Sequence, residues 1–166
     1  MQVPDDGWYR FPVPVRFRDL DPMGHAHHTL PLIYLEEARA AFWRELKGSA
    51  ALDAIDYVMA EVTLRFHARI LFPSTVEVLL GVSDVGNRSF SMIFEIRDPS
   101  GALLSGGSAV QVCYDYDRGA SRPLADGDRA VLQSWQAARP DPELSGVRRQ
   151  AVAGRRPASE KHGDGG

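Results

Sequence analysis

From Val58 to Phe72 the chain alternates without a break. Val58, Ala60, Val62, Leu64, Phe66, Ala68, Ile70 and Phe72 share one parity, and Met59, Glu61, Thr63, Arg65, His67, Arg69 and Leu71 the other. A two-residue period over this length is the mark of an extended chain with one buried and one wet face, so a long strand is predicted here, ended by Pro73-Ser74. Val76, Val78, Leu80 and Val82 repeat the pattern, and a turn at Asp84-Val85-Gly86-Asn87 leads to Phe90, Met92, Phe94 and Ile96. Asp98-Pro99-Ser100-Gly101 reads as the next turn. The run Leu104 to Tyr114 alternates more weakly and holds Gly106-Gly107, read as a bulge or bend. Long strands joined by short turns specify an antiparallel meander.

Ahead of the strands lies one long helical pattern. Leu32, Leu35, Ala38, Phe42 and Leu46 fall at spacings of three and four, while Glu36, Arg39 and Glu45 point elsewhere. Tyr34, Ala41 and Trp43 widen this apolar surface, so the helix is expected to be well buried. Thr29 is the expected N-cap, Pro31 suits the first turn, and Gly48 is the stop. Phe11 to Arg18 reads as a further strand with Val13, Val15 and Phe17 on one face, and Asp128 to Trp135 as a short helix. One sheet curled around one buried helix covers all these apolar faces, which makes the expected class α+β.

With 166 residues, 44% of them hydrophobic, the chain supports one core. Residues 137–166 carry six basic and four acidic side chains and few large apolar ones, and end in Gly163-Asp164-Gly165-Gly166. The expectation is therefore a single domain over 1–136 followed by a flexible polar tail. The net charge of −3 then divides into +2 on the tail and −5 on the domain, which disfavours nucleic-acid and anionic-membrane binding. No apolar run approaches a membrane span, and Met1 to Asp6 lacks the basic-then-apolar pattern of a leader, so a cytoplasmic protein is expected. Cys113 is the single cysteine, which excludes an internal disulfide.

The chemistry is concentrated in Arg18-Asp19-Leu20-Asp21-Pro22-Met23-Gly24-His25-Ala26-His27-His28-Thr29, just before the helix. A helix N-terminus offers unpaired N–H donors and a positive dipole end. A carboxylate beside such donors can attack a carbonyl while they hold the developing oxyanion, which is acyl-transfer chemistry. The same residues also suit Asx turns and helix caps. A metal site from the histidines and an aspartate is disfavoured because adjacent loop histidines seldom converge on one ion, so no metal is expected.

Asp19-Leu20-Asp21-Pro22-Met23-Gly24-His25, then His28, then Tyr34-Leu35-Glu36-Glu37-Ala38-Arg39 resemble the hot-dog fold acyl-CoA thioesterases of the 4-hydroxybenzoyl-CoA thioesterase type, whose loop reads D-x-D-x-x-G ahead of a helix with E-E-A-R or E-x-A-R. Phe66-His67-Ala68-Arg69, Gly86-Asn87-Arg88-Ser89-Phe90 and Val112-Cys113-Tyr114-Asp115 extend the resemblance over about residues 10–136. The resemblance implies a hot-dog fold and hydrolysis of an acyl-CoA thioester to free acid and coenzyme A, with no cofactor beyond the coenzyme A of the substrate. Asp21 matches the catalytic carboxylate, as nucleophile or general base. The backbone N–H of His28 matches the carbonyl-polarising donor, and the His28 side chain a water-positioning role. His25 matches the histidine of another subgroup. Asp19 and Gly24 of the loop, with Arg88, Ser89 and Arg118, are the candidate substrate-binding residues, the arginines for the coenzyme A phosphates. His67, on the polar strand face, is read as meeting solvent. Pro31 replaces a usual Tyr, which bears on the acyl pocket. Members of the family pair their sheets, so a homodimer or homotetramer is expected. A non-hydrolytic acyl-CoA or acyl-carrier binder, or a dehydratase, is the alternative on the same fold.

Overall fold

The computed structural model describes residues 1–51 and 54–138. The tail expected from 137 falls, from 139 onward, outside them. Along the chain run β1 (Tyr9–Pro14), a 3₁₀ turn (Phe17–Asp19), α1 (Leu30–Lys47), β2 (Tyr57–Phe66), β3 (Thr75–Val85), β4 (Ser89–Arg97), β5 (Leu103–Asp115), β6 (Ala120–Ser121) and α2 (Asp126–Ala137). The sheet order is β1-β3-β4-β5-β2, every pairing is antiparallel, and β6 adds to β5. This is the α+β arrangement expected, with the sheet and α1 sharing one core.

The core side chains of β3 and β4 are those the alternation picks out. Val76, Val78, Leu80 and Val82 join Phe90, Met92, Phe94 and Ile96 in one cluster with Tyr34, Leu35, Ala38, Phe42 and Trp43 of α1. The Trp43 ring stacks on Phe90 at 5.0 Å between centroids, and its indole N–H donates to Asp56 Oδ1 at 2.9 Å. Phe42 meets the edge of Trp135 from α2 at 5.2 Å. The α1 surface is thus buried all along one side, and truncating a ring such as Phe42 there costs about 3–5 kcal/mol.

Several expectations need correction. The buried face of α1 is Pro31, Tyr34, Leu35, Ala38, Arg39, Phe42 and Trp43, which keeps Tyr34 and Trp43 of the expected surface but leaves Leu32 and Leu46 only half-buried. Arg39 does not point outward: it is 4% exposed, lies 5.7 Å over the Tyr57 ring, and its Nε has no acceptor among the described residues. Thr29 makes no side-chain cap, because its hydroxyl sits 2.9 Å from His27 Nδ1 instead. Gly48 ends the helix as expected, at φ 62°. The first strand is short: β1 stops at Pro14 and Phe17 is 77% exposed on the 3₁₀ turn, edge-on to Phe72.

The long alternating run is two segments rather than one strand. The ladder with β5 stops at Phe66↔Ser105, and the His67 and Ala68 N–H groups both donate to Leu104 O as the chain leaves the sheet. Residues 67–71 then run beside the loop before α1, where the Ala26 N–H donates to Ile70 O at 2.9 Å and His25 bridges Leu71. Alternation reports an extended chain and not the identity of its neighbour, so it carries through this change of partner. Gly106-Gly107 is not a bulge either. Both stay in register, and a Cβ on Gly107 would lie 1.8 Å from the Thr63 carbonyl oxygen, so β2 crosses too close for any side chain. The register shifts fall elsewhere, at Met59/Glu61, Val82/Asp84 and Ile96/Arg97.

Candidate active site

The loop ahead of α1 folds on itself as a small hairpin. Leu20 bridges Ala26, the Asp21 N–H donates to His25 O at 2.9 Å, and the Gly24 N–H to Asp21 O at 3.0 Å. Pro22 fixes its own φ after Asp21, and Gly24 turns the chain at φ 79°, a value that glycine adopts at little cost. Within the turn, Asp21 Oδ1 accepts the Met23 N–H at 2.8 Å, an Asx turn that fixes the carboxylate. Asp21 Oδ2 lies 3.4 Å from His25 Nδ1, which is also 3.3 Å from Ala26 O. Both neighbours of that nitrogen are acceptors, so Nδ1 carries the hydrogen and steadies the carboxylate. The Asp21 side chain is 6% exposed.

The two acids of the loop are separated by direction and partners. Asp19 is 5% exposed and its Oδ2 accepts the Tyr34 hydroxyl at 2.7 Å and the Arg16 N–H at 2.9 Å, tying the loop to α1. Burial, with Asp19 as acceptor, pushes the Tyr34 hydroxyl above its ordinary titration range, so it remains a donor throughout. Asp21 instead lines an open cavity of about 380 Å³ with Met23, His25, Ala26, His28 and Pro31 on one side. Phe66, His67, Ala68, Arg69, Ile70 and Ser105 form the other side. Leu30 donates its N–H to His27 O at 2.9 Å, and Pro31 has none to give. The His28 N–H finds no acceptor among the described residues, and it lies where α1 begins. The His28 ring packs against that of His27 at 4.0 Å between centroids.

The candidates therefore divide. Asp21, His25 and His28 come together at the cavity, whereas Asp19 is turned inward and Gly24 only shapes the turn. Arg88 and Ser89 are elsewhere. Ser89 pairs with Val112, seven residues along β5 from Ser105, or about 23 Å at a strand's rise per residue. Arg88 spends its guanidinium on Ser121 O at 2.6 Å, and Arg118 pairs with Asp115 at 3.6 Å. Sequence reading missed the second wall. His67, expected to meet only solvent, lines the cavity, and so do Arg69 and Ser105. His67 and Arg69 reach it because residues 67–71 leave the sheet beside Ser105 of β5, an event that the uninterrupted alternation conceals. Their one signal in the sequence was Phe66-His67-Ala68-Arg69 as part of the resemblance.

Among the described residues no three His, Cys, Asp or Glu side chains converge on a common ion position. No helix among them is long and apolar enough to cross a membrane.

Comparison with known proteins agrees with this geometry. A search of curated proteins finds no match. The chain is similar to a thioesterase from Thermus thermophilus solved with coenzyme A and zinc, at 27% identity and a TM-score of 0.67 over 77% of this chain and 93% of that one. It shares its fold with a 1,4-dihydroxy-2-naphthoyl-CoA thioesterase from Synechocystis, at 18% identity and TM-score 0.65 over 78% and 96% of the two chains. A Staphylococcus aureus protein solved with coenzyme A has the same fold at 12% identity, TM-score 0.75, covering 87% of this chain and 95% of that one. The family model of the thioesterase-like superfamily matches residues 15–146. The chain therefore belongs to the thioesterase-like superfamily and is a thioester hydrolase of hot-dog fold.

Proposed function

We propose that the protein hydrolyses an acyl-CoA thioester to the free acid and coenzyme A, with Asp21 carrying the reaction. The observation that supports this most is the Asp21 carboxylate in the same cavity as His28 at the start of α1. The thioester carbonyl oxygen would accept from the His28 N–H, where the helix dipole favours the growing negative charge. Asp21 then serves the attack in one of two ways. As nucleophile, its oxygen bonds to the carbonyl carbon, the C–S bond breaks with release of thiolate, and water cleaves the resulting anhydride. As general base, it takes a proton from a water whose oxygen attacks the carbon, and the departing thiolate takes the proton up. The His28 side chain would hold that water, and His25 would keep the carboxylate aimed. The two enzymes named above for coenzyme A or its thioester fit the carrier.

Arg88, Ser89 and Arg118 would touch such a substrate where it passes onto a second subunit. The reading therefore includes a twofold assembly, in which the exposed edge of β2 finds a partner.

Asp21→Asn tests the chemistry. It removes the charge and keeps the shape, so turnover of acyl-CoA thioesters should fall by at least about 10²-fold with an unchanged unfolding midpoint. Near-normal turnover by a folded Asp21→Asn protein would overturn the assignment.

A further inference from the structure

One wall of the cavity carries polar groups that hydrolysis at Asp21 leaves unused. Ser105 lines the cavity but is 1% exposed, and its Oγ is closed off from the open space. Arg69 is the single arginine or lysine on the lining. No carboxylate lies within ion-pairing distance of it among the described residues, in contrast to Arg16, Arg97 and Arg122, which are each paired. Ile70, 4% exposed, anchors the chain next to Arg69, and bridges to Ala26 and His25 hold that segment against the loop. Phe66 and Ser105 are register partners, and His67 and Ala68 both bond to Leu104 O, so Ser105 and the segment carrying Arg69 belong to one wall. His67 adds a further donor there. In a domain with net charge −5, this is a local cationic spot facing one acid, Asp21.

We propose that this wall is a carboxylate subsite, and that the substrate is the thioester of an acid bearing a second carboxylate. Arg69 takes that carboxylate by a charge-assisted hydrogen bond and the His67 ring donates a second, while the thioester lies at Asp21. The acyl group is the source of the anion because a cavity of about 380 Å³ holds the reacting carbon and a short acyl group. The whole pantetheine arm separates the thioester from the nearest phosphate of coenzyme A. The apolar surfaces of Phe66, Ala68, Pro31 and Ala26 would meet the methylenes between the two carboxyl carbons. The inference rests on the hydrolytic reading for the position of the thioester, and on Arg69 with His67 for the nature of the acyl group.

The test compares glutaryl with the uncharged valeryl group, each as its coenzyme A and its pantetheine thioester. The protein should favour glutaryl in kcat/KM on both carriers by about 10-fold or more, the low end of what a hydrogen bond to a charged group contributes. Arg69→Gln should abolish that preference through KM, lowering kcat/KM for glutaryl far more than for valeryl, and Arg69→Lys should restore part of it. Equal handling of glutaryl and valeryl by the unmodified protein overturns the proposal. Equal damage by Arg69→Gln to both overturns it as well. A defect confined to both coenzyme A thioesters and absent from both pantetheine thioesters assigns Arg69 to a phosphate, and likewise overturns it. Should none of the four be hydrolysed, the hydrolytic reading fails by itself. Calorimetric binding of glutaryl- against valeryl-pantetheine to the unmodified and Arg69→Gln proteins then decides the subsite.

Discussion

Two aspartates two positions apart have opposite fates here. Asp19 points into the protein, where Tyr34 and the Arg16 N–H satisfy it, and Asp21 points into the cavity, where His25 steadies it. The D-x-D spacing could not show this by composition, because the direction of each side chain depends on the hairpin closed by Leu20 and Ala26. Tyr34 is the residue that makes the inward acid tolerable. Tyr34→Phe leaves a buried carboxylate with one donor fewer, which should cost about 1–3 kcal/mol in urea unfolding. Because Asp19 and Asp21 belong to the same hairpin, kcat should fall alongside stability while KM for the thioester moves less. An unchanged unfolding free energy would mean that Asp19 is satisfied without the hydroxyl. The contiguous candidates Asp21, His25 and His28 were legible because they occupy one loop at a helix start. Arg69 and Ser105 were not, since one reaches the site from the segment after β2 and the other from β5.

At the scale of elements, periodicity identified α1, β3 and β4 well and misplaced ends elsewhere. The β1 strand stops early because Val15 donates its N–H to Ser74 O and the chain then tightens into the 3₁₀ turn. The buried helix face lies toward Tyr34, Arg39 and Trp43 because each buries a large body while its polar end finds Asp19, the Tyr57 ring or Asp56, and of the three only Arg39 was expected to point elsewhere. Gly107 shows a different limit. In sequence a glycine pair within a strand suggests irregularity, whereas here it permits β2 and β5 to pack without any side chain between them. Gly107→Ala forces a methyl against the Thr63 carbonyl oxygen and the Phe94 ring, both of which must move. The loss should reach or exceed the upper end of the range of about 1–3 kcal/mol that overpacking costs, measured by urea denaturation. Gly127→Ala, whose added methyl meets nothing within 4 Å, is the control and should stay within about 0.5 kcal/mol.

At the scale of the whole molecule, the sheet order leaves β1 and β2 as edges. On β2, Met59 and Phe66 are exposed, and Val58, Val62 and Leu64 are half-buried. An edge of ten residues with that apolar content is a template for pairing, and the proposed assembly uses it. Sedimentation equilibrium should therefore return two or four times the 18.3 kDa of one chain, and a monomer mass at micromolar concentration would remove the assembly from the reading. The asymmetry of charge is also a property of this scale. With −5 on the domain, an anionic substrate is held by local groups against the long-range field, so its binding should depend on a few named cations.

The sequence by itself determined the class of fold, since alternation and a single helical stripe leave one economical way to bury their faces. It also marked the candidate loop, whose acids, imidazoles and helix start are neighbours along the chain. Only the tertiary structure decided which aspartate faces the cavity, where the long alternating run leaves the sheet, and which cation stands opposite Asp21. Those outcomes depend on hydrogen bonds between distant segments, Leu104 with His67 and Ala68, and Ala26 with Ile70. Local periodicity records whether a chain is extended or helical, and it is silent about the partner that an extended chain will choose.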